Sequence, residues 1–274
     1  KKFKYIINYD CDVYGIDDNG KQKILGRFRK NVISKTLTQS VIDNLKEAAM
    51  KKHANRGAAA GPLTKKTIPS YVDLNKIKTK NKFRFNGYYS SKDGKFKNSS
   101  LTNVTNSNII GYFDKPDRNP GASKVPCRLT AFNVQHKDKF KNVSPFLKKC
   151  DKLFKKLMPK EHLKQYKRAH NTNFVIQGTS FSTITINHNW RTALHKDSGD
   201  FKDGFGNLIV CEDIKNRNEK KYEGGCTGFP QYGVCFDVRD GDFLAMDVHE
   251  WHCNTELKPL KKNYTRLSVV CYLR

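Results

Sequence analysis

The 274-residue chain is 37% hydrophobic and includes 17 Phe, 12 Tyr and 2 Trp, enough apolar surface for a packed core, so composition excludes a wholly disordered polymer. No apolar run approaches the roughly 20 residues of a membrane-spanning helix, and the start lacks the charged-then-apolar pattern of a secretory leader; this reads as soluble and intracellular, not secreted, with no membrane partner. The formal net charge of +26 is confined to one half: residues 171–274 hold 13 Lys+Arg and 13 Asp+Glu, so residues 1–170 hold 39 and 13 and call for a polyanionic partner.

In chain order, Phe3 to Ile7 and Ile24 to Phe28 are apolar, β-prone runs on either side of the Asp17-Asp18-Asn19-Gly20 turn signal, which predicts a hairpin. Apolar positions at helical spacing over Val41–His53, with Ser40 as N-cap, predict a helix running into the small-residue loop Asn55–Pro62. Residues 73–108 mix Lys, Asn, Ser and Thr with Phe83, Phe85, Tyr88 and Tyr89, a pattern that suits a nucleic-acid-facing loop or a solvated hairpin. Between Lys137 and Arg168, twelve Lys+Arg face three acids around an apolar helical stripe, and Pro159 divides two helices whose basic face is a phosphate-contact candidate.

From Phe174 the texture changes to short β-branched and aromatic runs: Phe181–Ile186, Leu208–Cys211, Tyr232–Val238, Phe243–Met246 and Thr265–Leu273. Several short strands in about 100 residues, with no βαβ alternation, indicate an antiparallel sandwich or jelly roll. Eight cysteines without a CxxC pair read as reduced thiols rather than a zinc cluster or a disulfide framework.

The chemistry concentrates in two short runs. In Arg191–Asp197, read as a strand, alternation points Arg191, Ala193, His195 and Asp197 the same way, and His195 with Asp197 can chelate one cation. His252, 57 residues on, completes a two-histidine, one-carboxylate set that leaves coordination positions open for nonheme iron(II) and oxygen. The run His249-Glu250-Trp251-His252 is not the zinc-protease signature, because its histidines are three rather than four apart. Fourteen residues past His252, Arg266 shares a strand face with Ser268; this fork and hydroxyl suit the distal carboxylate of 2-oxoglutarate, with Arg191 a weaker candidate for the carboxylate nearer the metal.

These residues resemble a known family. The run Asn187–Phe201, together with Gly224-Gly225, Phe229-Pro230, Asp240-Gly241-Asp242 and His249–Asn254, looks like the metal-binding block of the TET/J-binding-protein oxygenases, closest to the thymine-hydroxylating J-binding-protein side. The loop Arg56–Gly61 and the segment Pro126–Thr130 resemble that group more patchily. The resemblance implies an α+β protein with a double-stranded β-helix (jelly-roll, cupin-like) core, packed helices and a basic N-terminal extension. It implies His195, Asp197 and His252 as metal ligands and Arg266 as the 2-oxoglutarate arginine, with Arg56, Gly57 and Asn187 as substrate-binding candidates. Iron(II), 2-oxoglutarate and O2, with ascorbate as reductant, would hydroxylate the 5-methyl group of thymine or 5-methylcytosine in DNA, the base flipping out to reach the metal.

The expected organisation is a single dioxygenase domain, 1–274. Its basic α/β part, 1–170, packs on a catalytic barrel, 171–274, and contacts the substrate. The expected protein is a monomer in the nucleus or at a site of viral or host DNA. Two competing readings are the same chemistry on a protein side chain, as in prolyl or lysyl hydroxylases, and a catalytically inactive basic nucleic-acid-binding module.

Overall fold

Seven consecutive buried residues, Gly206–Glu212, require a strand covered on both faces, and the computed structural model shows what covers it. The structure describes residues 3–17, 19–114 and 127–274. Ile209 and Cys211 point into one core with Ile184, Ile186, Leu267 and Val269, beneath helices. Leu208 and Val210 point the other way, into a core shared with Phe229, Val234 and Phe236 of a second sheet. The period of two along one strand thus becomes three layers: helices, a large sheet and a small sheet.

The large sheet has the order Cys11–Ile16, Gln22–Arg29, Phe243–Met246, Gly206–Glu212, Arg266–Tyr272, Thr183–His188, Thr105–Asp114 and Lys52–His53, with Cys127–Leu129 branching from Thr105–Asp114. The small sheet runs Tyr5–Ile7, Val234–Phe236, Thr227–Phe229 and Cys253–Asn254. Strands from both sides of residue 170 therefore interleave in both sheets, so the N-terminal region builds the sandwich and does not merely pack on it. The two-stranded Tyr222–Gly224/Leu257–Pro259 ribbon and a three-stranded sheet over residues 72–101 lie outside these layers.

The predicted first hairpin changes partner. Tyr5–Ile7 pairs in parallel with Val234–Phe236, whereas Gln22–Arg29 forms its hairpin with Cys11–Ile16. Ile7 joins the inter-sheet core, a better sink for its side chain than a local ribbon. The turn Asp17–Gly20 closes through Gly20 N–H to Asp17 O at 2.9 Å; Asp18 lies outside the described residues, as does Pro126.

The helices are α1 (Lys35–Met50), α2 (Ala131–Gln135), α3 (Lys137–Leu157) and α4 (Pro159–His170). Helix α1 starts six residues earlier than the Ser40 cap predicts: Ser34 Oγ accepts from Leu37 N–H, and the buried stripe extends back to Thr38, which donates to Asp240. Pro159 occupies the first turn of α4, where its missing N–H costs nothing. Asp151 of α3 accepts from Ser180 N–H and Ser180 Oγ, both at 2.7 Å, and pairs with His162 of α4 at 3.1 Å, which locks two helices to the segment entering Thr183–His188. All eight cysteines are without disulfides.

Burial alone would raise the Asp151 carboxyl, but the His162 and Ser180 hydrogen bonds outweigh it and hold it below its ordinary 3.8. A depressed folded value gives stability that is present above the unfolded pKa and lost as pH falls through the folded one. Asp151→Asn is therefore expected to cost about 3 kcal/mol at neutral pH and to flatten the loss of stability below pH ~4, measured by urea unfolding across pH. An unchanged midpoint at pH 7 would refute this.

Candidate active site

Strand Thr183–His188 ends at Asn189, whose backbone sits at φ +46° and turns the chain. Asn189 Oδ1 accepts from Arg266 N–H at 2.7 Å and its amide donates to Tyr264 O at 2.8 Å, so the turn is anchored on the strand carrying Arg266. Beyond it the chain does not form the predicted Arg191–Asp197 strand. It runs irregularly, pinned by Thr192 N–H and Oγ1 on Asn254 Oδ1 (3.1 and 2.6 Å) and by Ala193 N–H on Ala59 O (2.8 Å). Strict alternation therefore fails: Arg191 is exposed and borders a separate groove with Phe3 and Cys235, away from the metal candidates.

His195 and His252 form an isolated antiparallel bridge, each backbone N–H donating to the other's carbonyl at 3.0 Å. Their rings lie 4.2 Å apart between centroids. Asp197 is positioned by its N–H on Val248 O, and its two oxygens lie 3.5 Å from His195 Nε2 and 3.8 Å from His252 Nε2. One ligand atom from each of the three falls within 4.8 Å of the others.

The second ring nitrogens are already engaged: His195 Nδ1 lies 2.8 Å from Ala193 O, and His252 Nδ1 lies 2.9 Å from Glu250 O. A carbonyl can only accept, so Nδ1 carries the proton and the Nε2 lone pair faces Asp197, the tautomer a metal ligand requires. Burial, then the neighbouring His252, lowers His195 to about 4, keeping its imidazole neutral. Glu250 is itself held by Lys23 of the N-terminal strand Gln22–Arg29, so the basic half helps to set the second histidine.

The cluster opens on a cavity of about 400 Å³. Asn187 and Ser268 line it, joined by a 3.1 Å hydrogen bond from the Asn187 amide to Ser268 Oγ, while Asn187 Oδ1 is buried without a partner. Arg56 and Gly57 line it too. Arg56 Nη1 donates to Thr185 Oγ1 at 3.2 Å and its Nε is an orphan, so the small-residue loop is a wall of the site.

Arg266 is 1% exposed and lies on the same strand face as Ser268, while Leu267 and Val269 pack the helical side. Its Nη2 donates to Gly225 O at 3.1 Å and its buried Nε has no partner. Gly225, at φ +71°, allows this approach: a Cβ there would stand 3.2 Å from Arg266 Nε and 2.7 Å from Leu257 Cδ2. A buried guanidinium with spare donors fits an anionic carboxylate, and a neutral two-histidine, one-carboxylate set fits a divalent cation.

Sequence reasoning passed over Asp200 and Asn254. Asp200 lines the cavity, is raised to about 8 by burial and then by Asp197, and lies 3.8 Å from Arg274 Nη1. Asn254 takes Thr192 on one side and donates to Thr227 Oγ1 at 2.7 Å on the other. The three-residue spacing Asp197-x-x-Asp200 was the signal available for the first; only tertiary contact reveals the second.

A profile described as the TET/JBP oxygenase domain of the 2OGFeDO superfamily matches residues 108–274. The chain belongs to this family. Membership implies iron(II) and 2-oxoglutarate, the groups that the cluster and the underused arginine fit. Among similar proteins, Thymine dioxygenase JBP1 of Trypanosoma brucei brucei is 36% identical over 171 residues, 62% of this chain and 19% of that protein. Bifunctional helicase and thymine dioxygenase JBP2 of Leishmania braziliensis is 37% identical over 166 residues, 61% of this chain and 14% of its own length. The chain thus spans a fifth or less of these relatives. The solved structure of NgTET1 in complex with 5mC DNA superposes with a TM-score of 0.53 at 12% identity, covering 99% of this chain and 83% of that one, a likeness of fold.

Replacing Arg266 by Gln removes charge-assisted hydrogen bonds worth about 1.5–3 kcal/mol and is expected to weaken 2-oxoglutarate binding roughly 10- to 100-fold. Manganese(II) affinity should hold, both read by calorimetry. Equal 2-oxoglutarate affinity in the variant would remove Arg266 from the site.

Proposed function

We propose that this member of the TET/JBP family is an iron(II)- and 2-oxoglutarate-dependent dioxygenase that hydroxylates the 5-methyl group of a pyrimidine base in DNA, with thymine the first substrate to test. The observation that carries the reading is the His195, Asp197 and His252 cluster, its two histidines buried and pre-set in the ligand tautomer, on the wall of a cavity built by a chain of this family. The two facing sheets are read as its double-stranded β-helix.

His195, Asp197 and His252 would hold the metal, and Arg266 and Ser268 would take the distal carboxylate of 2-oxoglutarate. Bound iron(II) supplies oxygen activation coupled to decarboxylation of 2-oxoglutarate, with ascorbate keeping it reduced. The chain's own contribution is placement. The reciprocal His195/His252 bridge sets the ligand spacing, and apolar Leu208, Met246 and Val248 limit water at the cavity's inner wall.

A cavity of about 400 Å³ is too confined for duplex DNA, so the target base must leave the stack. Asn187, with its orphan oxygen, and Asp200 offer hydrogen bonds to a base edge, and Arg56 offers a cation near it. The reading places the protein, as a monomer, at nuclear, viral or host DNA.

The test is incubation with iron(II), ascorbate, 2-oxoglutarate and oligonucleotides containing thymine or 5-methylcytosine, followed by mass spectrometry of nucleosides. Hydroxymethyl products are expected from the wild type, with a loss of at least 100-fold in His252→Ala. Turnover on a peptide library but none on either oligonucleotide would overturn the substrate.

A further inference from the structure

Residues 72–101 hold eight Lys+Arg against two acids, and they form the three-stranded sheet Val72–Lys80, Phe85–Ser90, Lys95–Leu101. This sheet lies outside the residues matched by the family profile. One face is buried, through Val72, Phe85 and Tyr88. The opposite face is exposed and carries Tyr89 and Phe96, paired across neighbouring strands with ring centroids 5.3 Å apart. Lys76 Nζ lies 5.5 Å above the Tyr89 ring. Lys78 flanks Phe96 over Gly87, where a Cβ would come within 2.7 Å of the Phe96 ring and 3.1 Å of Lys78 Cβ. Among the described residues, the one ion pair on this sheet is Lys97 with Asp93, so Lys76 and Lys78 have no acidic partner within it.

The sheet is tied to the active site by backbone. Asn81 Oδ1 accepts from Phe83 N–H (2.9 Å) and Arg84 N–H (2.8 Å), and Asn81 N–H donates to Arg84 O (2.8 Å), a closed turn that presents Arg84. Leu63 N–H donates to Lys82 O at 2.8 Å, and in the same loop Ala59 O receives Ala193 N–H, two residues from His195. Arg84 itself lines the cavity. By contrast, helix α3 packs Phe146, Leu147 and Phe154 into the core on the Ile184/Ile186 face of the large sheet, whereas Thr185 and Asn187 of the same strand line the cavity from the other face, so the α3 lysines stand on the side away from the site.

We propose that this sheet is the arm that holds the DNA strand from which the target base is extruded. Tyr89 and Phe96 form a stacking platform, Lys76 and Lys78 are phosphate contacts, and Arg84 grips the phosphate beside the extruded nucleotide. The inference rests on the DNA reading above and adds the surface that delivers the substrate. Exposed aromatics interleaved with unpaired lysines match the two chemical faces of an opened strand, π-surface and phosphodiester. A guanidinium at the cavity mouth matches the phosphate that must stop there when its base goes in.

The test uses a fluorescein-labelled thymine-containing duplex and anisotropy from 50 to 200 mM NaCl. Lys76→Gln/Lys78→Gln removes two phosphate contacts and is expected to lower the salt slope by about 2, at roughly 0.9 per contact. Adding Tyr89→Ser and Phe96→Ser is expected to weaken binding at least tenfold further, because the bases lose their stacking surface, with 2-oxoglutarate affinity unchanged. Lys152→Gln/Lys156→Gln on α3 makes the same charge change and should leave the slope alone. Arg84→Gln is expected to lower kcat/KM for methyl oxidation more than it lowers duplex affinity. An unchanged slope in the Lys76/Lys78 variant, an equal drop in the α3 variant, or a wild type that does not bind duplex overturns the arm. A wild type that binds through this sheet but oxidises no pyrimidine overturns the proposed activity and leaves the arm standing.

Discussion

Two backbone hydrogen bonds, each 3.0 Å, join His195 to His252 and hold together segments 57 residues apart in the chain. Everything at the site is referenced to that clip. It brings the two imidazoles to one side of Asp197, and each Nδ1 finds the carbonyl two residues before it, Ala193 O or Glu250 O, so ring orientation and tautomer follow from backbone position. Ligand orientation is thereby prepaid before a cation arrives, as preorganised sites require.

The clip depends on the layers behind it. Strand Gly206–Glu212 is buried throughout because helices cover one face and the small sheet the other, and Arg266–Tyr272 beside it repeats the division, Leu267 and Val269 to the helices, Ser268 and Val270 to the cavity. The N-terminal region is part of this construction: Lys23 restrains Glu250, and Ile7 fills the inter-sheet core. The charge asymmetry between the halves is therefore a surface property laid over a shared interior.

Local patterns were legible where the answer was local. The Pro159 break, the strand Phe243–Met246, the His195, Asp197 and His252 constellation and the face shared by Arg266 and Ser268 could all be read from spacing. Arg191 shows the limit. Period-two alternation presumes a ladder of hydrogen bonds, but Asn189 at φ +46° and the side-chain clasp of Thr192 on Asn254 replace that ladder, and Arg191 turns outward. The first hairpin failed similarly, since Tyr5–Ile7 found its partner more than 220 residues away.

By itself the sequence determined the chemistry available: which side chains can ligate a cation, which can receive a carboxylate, and that half the chain carries the whole positive charge. Those are properties of residue type and short spacing, which survive any folding. Tertiary structure alone decided which basic surface adjoins the cavity, sending the lysines of α3 to the far side of the sheet and Arg84 to the cavity wall. Orientation relative to a site is set by long-range strand pairing and by which face of a sheet is covered, and neither is written in the spacing of a charge run.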